Sequence, residues 1–162
     1  MTKRSAGLLL YRGQRDGPEL LLVHPGGPFW ARKDEGAWSI PKGLCVENED
    51  MQAAAKREFE EETGQAPPGE LLDLGEFKQS GGKRVRAYAA EGEFDPAALK
   101  SNLFAMEWPP RSGRTQEFPE VDRAGWFSPQ EARRKLVKGQ VAIVDALLEQ
   151  LGSRELGTGN GE

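Results

Sequence analysis

At 162 residues the chain suits one domain with a sizeable core, and 37% hydrophobic with 30% charged residues is the balance of a soluble globular protein. A formal net charge of −4 gives no support for bulk nucleic-acid binding, and a single cysteine, Cys45, excludes an intrachain disulfide and fits a reducing compartment. The first apolar run, Leu8 to Tyr11, is far too short for a signal or membrane segment, so the expectation is a cytoplasmic protein without membrane contact.

Ser5 to Tyr11 and Leu20 to His24 read as two strands joined by Arg12 to Pro18, a polar turn with two glycines. The run Leu20-Leu21-Leu22-Val23 is continuously apolar, which predicts a strand covered on both faces. His24, the only histidine, ends this strand; a phosphate contact is conceivable there, but a hydrogen-bonded structural role is the commoner use. Residues 25 to 37 form a loop rich in Gly and Pro that carries Phe29, Trp30, Arg32 and Lys33. Its aromatics could stack on a base while Arg32 or Lys33 meets phosphate, or Trp30 could simply cap the core edge.

Trp38-Ser39-Ile40-Pro41-Lys42 leads into the most informative stretch, residues 43 to 65. Pro41 and Gly43 fix a backbone that can bring carbonyls near a metal, and Lys42 offers a point charge to a polyphosphate. The acidic turn at Glu49 and Asp50 can start a helix, which should run from about Asp50 to Thr63 and end at Gly64 in the left-handed conformation. At about 100° per residue, Met51, Ala54, Ala55, Glu58 and Glu62 share one side, Glu61 lies on its flank, and Lys56 and Glu60 point away. Two carboxylates on the inward side cost several kcal/mol unless a cation joins them, and charges spaced i,i+4 repel. Glu-rich helices usually face water, but the helical phase argues against that reading here. Three carboxylates suit magnesium or manganese better than zinc, which would want His or Cys.

This stretch resembles the Nudix box, G-x5-E-x7-R-E-U-x-E-E-x-G-U with U an apolar residue, through Gly43, Glu49, Arg57, Glu58, Phe59, Glu61, Glu62 and Gly64. Gln65 alone departs, standing where an apolar residue is usual. The resemblance implies an α/β fold, the Nudix α/β/α sandwich around a central mixed β-sheet. It also implies hydrolysis of a phosphoanhydride bond in a nucleoside diphosphate linked to another moiety. By the same resemblance, Mg2+ or Mn2+ is held by Glu61 and Glu62, with Glu58 as third ligand or general base. Arg57 is expected to pair with Glu49 and orient the catalytic carboxylates from behind, with Gly43 shaping the loop. Lys42, Trp30 and Arg32 are the candidate substrate contacts. The W-S-I-P-K-G lead-in resembles that of dinucleoside polyphosphate hydrolases, which ranks those compounds first as the small-molecule nucleotide or polyphosphate partner. A non-catalytic Nudix-like binding module is the alternative, which loss of box carboxylates would have favoured; all are present. Many relatives form dimers, so a homodimer is compatible with the resemblance.

Beyond the box, Leu71 to Gln79 reads as a strand bent near Gly75, Ser80-Gly81-Gly82 as a hairpin turn, and Lys83 to Ala90 as the returning strand. Lys83, Arg84 and Arg86 on that strand are read first as edge protection and only second as phosphate contacts. Glu91 to Lys100 suggests a loop with one helical turn, Phe104 to Trp108 a strand, and 109 to 116 a second basic loop. The family often adds a carboxylate from a loop before a strand Trp; Glu120, six residues before Trp126, is the first choice and Glu117 the second. Ser128, Pro129 and Glu131 form a capping box at a helix start, and a further helix follows Gly139 with an apolar face from Val141 to Leu151. The expected organisation is one domain over residues 1–151 and a polar, glycine-rich, disordered tail over 152–162, with no repeat or linker.

Overall fold

The computed structural model describes residues 4–13 and 17–159. The first three residues, residues 14–16 of the expected polar turn and residues 160–162 of the expected tail lie outside the described residues. Strands β1 (Arg4–Arg12) and β2 (Glu19–Pro25) are buried on both faces, as their unbroken apolar runs predict. Leu9, Tyr11, Leu20 and Leu22 enter one hydrophobic cluster, while Ala6, Leu8, Leu10 and Leu21 enter another on the opposite face.

Two further strands complete the long edge: β4 (Leu72–Lys78), with a bulge between Asp73 and Gly75, and β5 (Arg84–Glu91). The short β3 (Lys42–Leu44) and the late β8 (Val121–Phe127) finish a six-stranded sheet of order β4-β5-β1-β2-β8, with β3 paired to β1. β1 and β5 run parallel and the other pairs antiparallel, so the sheet is mixed. Helix α1 (Met51–Thr63) sends Ala54, Ala55 and Phe59 into the cluster on one face. Helices α2 (Pro129–Lys135) and α3 (Val141–Gly159) send Ala132, Ile143, Val144 and Leu147 into the other. That is the expected α/β/α sandwich. None of the described helices is long and apolar enough to cross a membrane.

Strands β6 (Leu103–Glu107) and β7 (Thr115–Pro119) form a separate two-stranded sheet. The basic loop predicted over 109 to 116 therefore ends at Arg114, and Thr115 and Gln116 belong to β7. The capping box of α2 forms as expected, with Ser128 Oγ accepting from the Glu131 N–H at 3.1 Å. The backbone of α3 stays helical through Gly159, past Leu151 where polar composition predicts a tail; Arg154, Glu155 and Leu156 are good helix formers, so helix propensity outlasts the apolar face.

Among the described residues β1 and β2 are paired only at Tyr11 with Leu20 and Arg12 with Glu19, and the segment before the box fills the gap between them. Ser39 exchanges both backbone hydrogen bonds with Val23 at 2.9 Å, Leu8 N–H donates to Pro41 O at 3.0 Å, and β3 takes the start of β1. The side chain of Gln140, fully buried between α2 and α3, secures this wedge. Its Oε1 accepts the Ile40 N–H at 2.9 Å, and its Nε2 donates to Ser39 Oγ at 2.9 Å and Gln79 Oε1 at 3.0 Å. Gln140→Ala strands the buried Ile40 N–H and opens a cavity, so it is expected to lower unfolding free energy by about 2–4 kcal/mol. Urea unfolding measures this, and a loss below about 1 kcal/mol would contradict the pinning role.

Candidate active site

α1 forms where it does because both ends are satisfied. Asp50 accepts the Ala53 N–H at 3.1 Å at the start, and Gly64, in the left-handed conformation at φ 87°, donates to Glu60 O at 2.8 Å at the end. The phase then buries Ala54, Ala55, Glu58, Phe59 and Thr63, leaves Glu60 exposed and sets Glu61 and Glu62 half-buried. Lys56 is half-buried rather than wholly outward, because its Nζ reaches Gly69 O at 3.1 Å.

Arg57 ties the loop to the helix. Its Nε and Nη2 donate to the two Glu49 oxygens at 2.8 and 2.9 Å, Nη2 also to Leu44 O at 3.1 Å, and Nη1 to Glu58 at 2.8 Å and Glu61 at 3.2 Å. The bidentate contact with Arg57, helped by the Val46 N–H, holds the Glu49 carboxyl down at about 2. One lysine ammonium cannot span these acceptors. Arg57→Lys is therefore expected to cut turnover by about 10–100-fold at unchanged overall charge, read in steady-state kinetics, and full activity would remove the positioning role.

The remaining carboxylates are held against their charge. Glu62, which accepts the Lys42 N–H at 3.3 Å, is pushed up to about 8 by burial and then by Glu58. Burial, followed by Glu61, raises Glu58 despite Arg57, and burial and Glu61 also raise Glu120. A chain of backbone bonds delivers Glu120 to this place: Asn102 N–H donates to Glu61 O at 2.9 Å, Glu120 N–H to Asn102 O at 2.8 Å, and Gly26 N–H to Glu120 O at 3.0 Å. Glu117 instead pairs with Ala105 inside the β6–β7 sheet. On the other side Gly43 faces Glu58 so closely that a Cβ there would lie 2.0 Å from Oε1.

A hard divalent cation fits this donor set, which is entirely carboxylate oxygen, desolvated and mutually repelling. Among the described residues no three carboxylates already converge on one point, since the Arg57 guanidinium holds Glu58 and Glu61. Glu58, Glu61, Glu62 and Glu120 would be the residues to hold an ion.

Lys42 and Trp30 line one cavity of about 550 Å³ together with Lys83, Lys138, Gln79 and Gln140. Burial, above all, lowers Lys42, with Lys83 pushing the same way and Glu62 opposing. Trp30 stands at the cavity rather than capping the core, with Lys33 Nζ 5.2 Å from its ring centre. Arg32 is exposed and not among the cavity-lining residues, so it does not join Lys42 and Trp30. Fully buried His24 bonds Asp122 through Nδ1 at 2.8 Å and Lys33 O through Nε2 at 2.6 Å, a structural clamp on the loop. Sequence reasoning missed Lys138 and the two glutamines, whose meeting depends on folding alone.

Residues 1–147 match the family model described as the NUDIX domain. A search of curated protein sequences finds no match. Among solved structures, an Ap4A hydrolase binary complex from C. elegans is similar at a TM-score of 0.64 and 20% identity, covering 92% of this chain and 98% of that one. The NUDIX domain of Shewanella oneidensis NrtR, complexed with ADP ribose, is similar at 0.62 and 17% identity, covering 93% and 89%. A mutT/nudix family protein from Listeria innocua is similar at 0.62 and 20% identity, covering 95% and 96%. At these identities the likeness establishes the fold, while the match of the domain model over most of the chain, box included, shows that the protein belongs to the NUDIX family of phosphoanhydride hydrolases.

Proposed function

We propose that this protein, a single domain over residues 1–151 working in the cytoplasm, hydrolyses a phosphoanhydride bond in a nucleoside diphosphate linked to another moiety, with dinucleoside polyphosphates first. The observation that carries this reading is the gathering of Glu58, Glu61, Glu62 and Glu120 in a setting that raises Glu58, Glu62 and Glu120. The similarity to the C. elegans Ap4A hydrolase supports the substrate ranking, and the ADP ribose bound by the NrtR domain represents one competing class.

Magnesium or manganese, when bound, neutralises the diphosphate, lowers the pKa of a water and stabilises charge on the leaving oxygen. The chain supplies the rest. Glu61 and Glu62 would hold the ion, and Glu58 would either ligate it or take the proton from the attacking water. Arg57 keeps Glu58 and Glu61 aimed from behind while anchored on Glu49. Lys42 presents its ammonium to the phosphates beside Glu62. Positioning and electrostatics suffice for this reaction without a covalent nucleophile.

The test is nucleotide and phosphate release from a panel of diphosphate compounds with magnesium or manganese. Cleavage fastest with dinucleoside polyphosphates is expected. No cleavage by a folded protein with either ion would favour a binding module instead.

A further inference from the structure

His24 stands near the end of β2, where the 25–37 loop begins. It shares the strand alternation of Leu20 and Leu22, whose cluster is covered by α2 and α3, and Trp38 of that cluster meets its ring edge-on at 5.2 Å. The imidazole therefore sits on the sheet face opposite α1, and it is fully buried. Its Nδ1 lies 2.8 Å from Asp122 Oδ1 and its Nε2 2.6 Å from the Lys33 carbonyl oxygen. Both partners are acceptors. A carbonyl has no proton to give, and Asp122 Oδ1 also faces Arg123 Nε at 3.5 Å, a setting for a carboxylate oxygen and not for a hydroxyl. A neutral imidazole has one N–H, so one of the two contacts would set lone pair against lone pair with no solvent to relieve it. Only a ring with a proton on each nitrogen makes both bonds, and both are then charge-assisted.

The Lys33 carbonyl closes the turns of residues 27–33, which carry Phe29 and Trp30. Inside them Trp30 N–H donates to Gly27 O at 3.4 Å and Lys33 N–H to Trp30 O at 3.0 Å. Those bonds shape the turns without fastening them to the sheet. The His24 Nε2 bond is what ties their end to β2. The other charged groups around the ring are engaged elsewhere: Asp34 with Lys135 of α2 and with Trp38 Nε1, Arg123 with Asp122 and the Trp38 ring, and the Lys33 ammonium with the Trp30 ring.

We propose that His24 carries both ring protons and is the positioning residue of the 25–37 loop, a latch that holds the Trp30 turns while the second proton is bound and frees them when rising pH removes it. The sign follows from the partners. The bond to a carboxylate is the stronger, so Nδ1 keeps its proton, Nε2 loses its own, and the contact given up is the one to Lys33. The latch itself is independent of the hydrolase reading; its effect on substrate rests on that reading.

His24 is the only histidine, so nitrogen-15 labelling of histidine reports on this ring alone. At pH 7 the spectrum is expected to show two protonated ring nitrogens, and one bare nitrogen overturns the proposal. The pH is then raised until Nε2 loses its proton, and amide exchange is followed at Trp30 and Lys33 in wild type and in Asp122→Asn. Protection is expected to fall at least about 10-fold across that step in wild type. In the variant it should hold, because the asparagine amide can donate to a bare Nδ1 and leave Nε2–H for Lys33. Unchanged protection in wild type, an equal fall in the variant, or a second proton retained until the chain unfolds overturns the latch. Across the same step KM for a tetraphosphate-bridged dinucleoside is expected to rise at least about 5-fold more in wild type than in the variant, with kcat changing alike in the two. Equal KM changes remove the positioning role toward substrate. Loop release without cleavage of any compound would keep the latch and defeat the hydrolase reading, and cleavage with no release would do the reverse.

Discussion

Glu62→Gln is expected to reduce turnover by at least about 10³-fold and, in the absence of metal at pH 8, to raise the melting temperature by several degrees. The loss follows from removing one charged oxygen donor from a site whose electrostatic contribution is worth several kcal/mol. The gain follows from linkage. Folded Glu62 titrates at about 8, against an ordinary value of 4.5. Below about pH 4.5 the carboxyl is protonated in both states and contributes nothing to the pH dependence. Between 4.5 and 8 the unfolded chain releases a proton that the folded chain retains, so metal-free stability falls as pH rises. Above 8 the full penalty is present, about 2–4 kcal/mol after allowing for the solvent that reaches a half-buried carboxylate. Glutamine has no charge to desolvate, so this part of the pH dependence vanishes. Thermal melts in chelator at pH 5.5 and pH 8 read both effects, and a variant melting below wild type at pH 8 would place Glu62 outward.

Gly43→Ala is expected to separate activity from stability. The new methyl carbon would lie 2.0 Å from Glu58 Oε1, 2.1 Å from Cδ and 2.5 Å from Oε2, so the carboxylate must leave its place. Because the obstructed atoms are the end of a flexible side chain, the backbone can stay, and unfolding free energy should change by no more than about 1 kcal/mol. Displacing a catalytic carboxylate by an ångström or more costs about 10²-fold in rate. Kinetics beside urea unfolding test the split, with Gly69→Ala as the control, since nothing lies within 4 Å of a Cβ there. Wild-type turnover in Gly43→Ala would show that the Glu58 position is not used.

How far the chain is legible depends on whether a feature is local. α1 could be read to within one residue because its cap, its phase and its terminal glycine all lie within one stretch, and β1 and β2 announced themselves by unbroken apolar runs. β3 could not be read as a strand, since its three residues are held by pairing with Ser5, Ala6 and Gly7 rather than by any pattern of their own. β7 escaped for a related reason: Thr115-Gln116-Glu117 is polar and exposed, and only its partner β6 makes it a strand. The choice between Glu120 and Glu117 rested on spacing, which could not decide it. In the structure backbone bonds link Glu120 to Asn102 and Gly26, while Glu117 pairs with Ala105 in the β6–β7 sheet, and both placements arise only on folding. The lysine cavity was beyond any local signal, because Lys42, Lys83 and Lys138 meet only after Gln140 has joined segments far apart in sequence.

The most direct measurement is a calorimetric titration of metal-free protein with manganese at pH 7, for wild type and Glu62→Gln, in two buffers of different ionisation enthalpy. Wild type is expected to bind the ion and release protons as the raised carboxyls ionise, and the variant to bind at least 10-fold more weakly with fewer protons released. Equal affinity and equal proton release in the two proteins would contradict a metal site built on the α1 carboxylates.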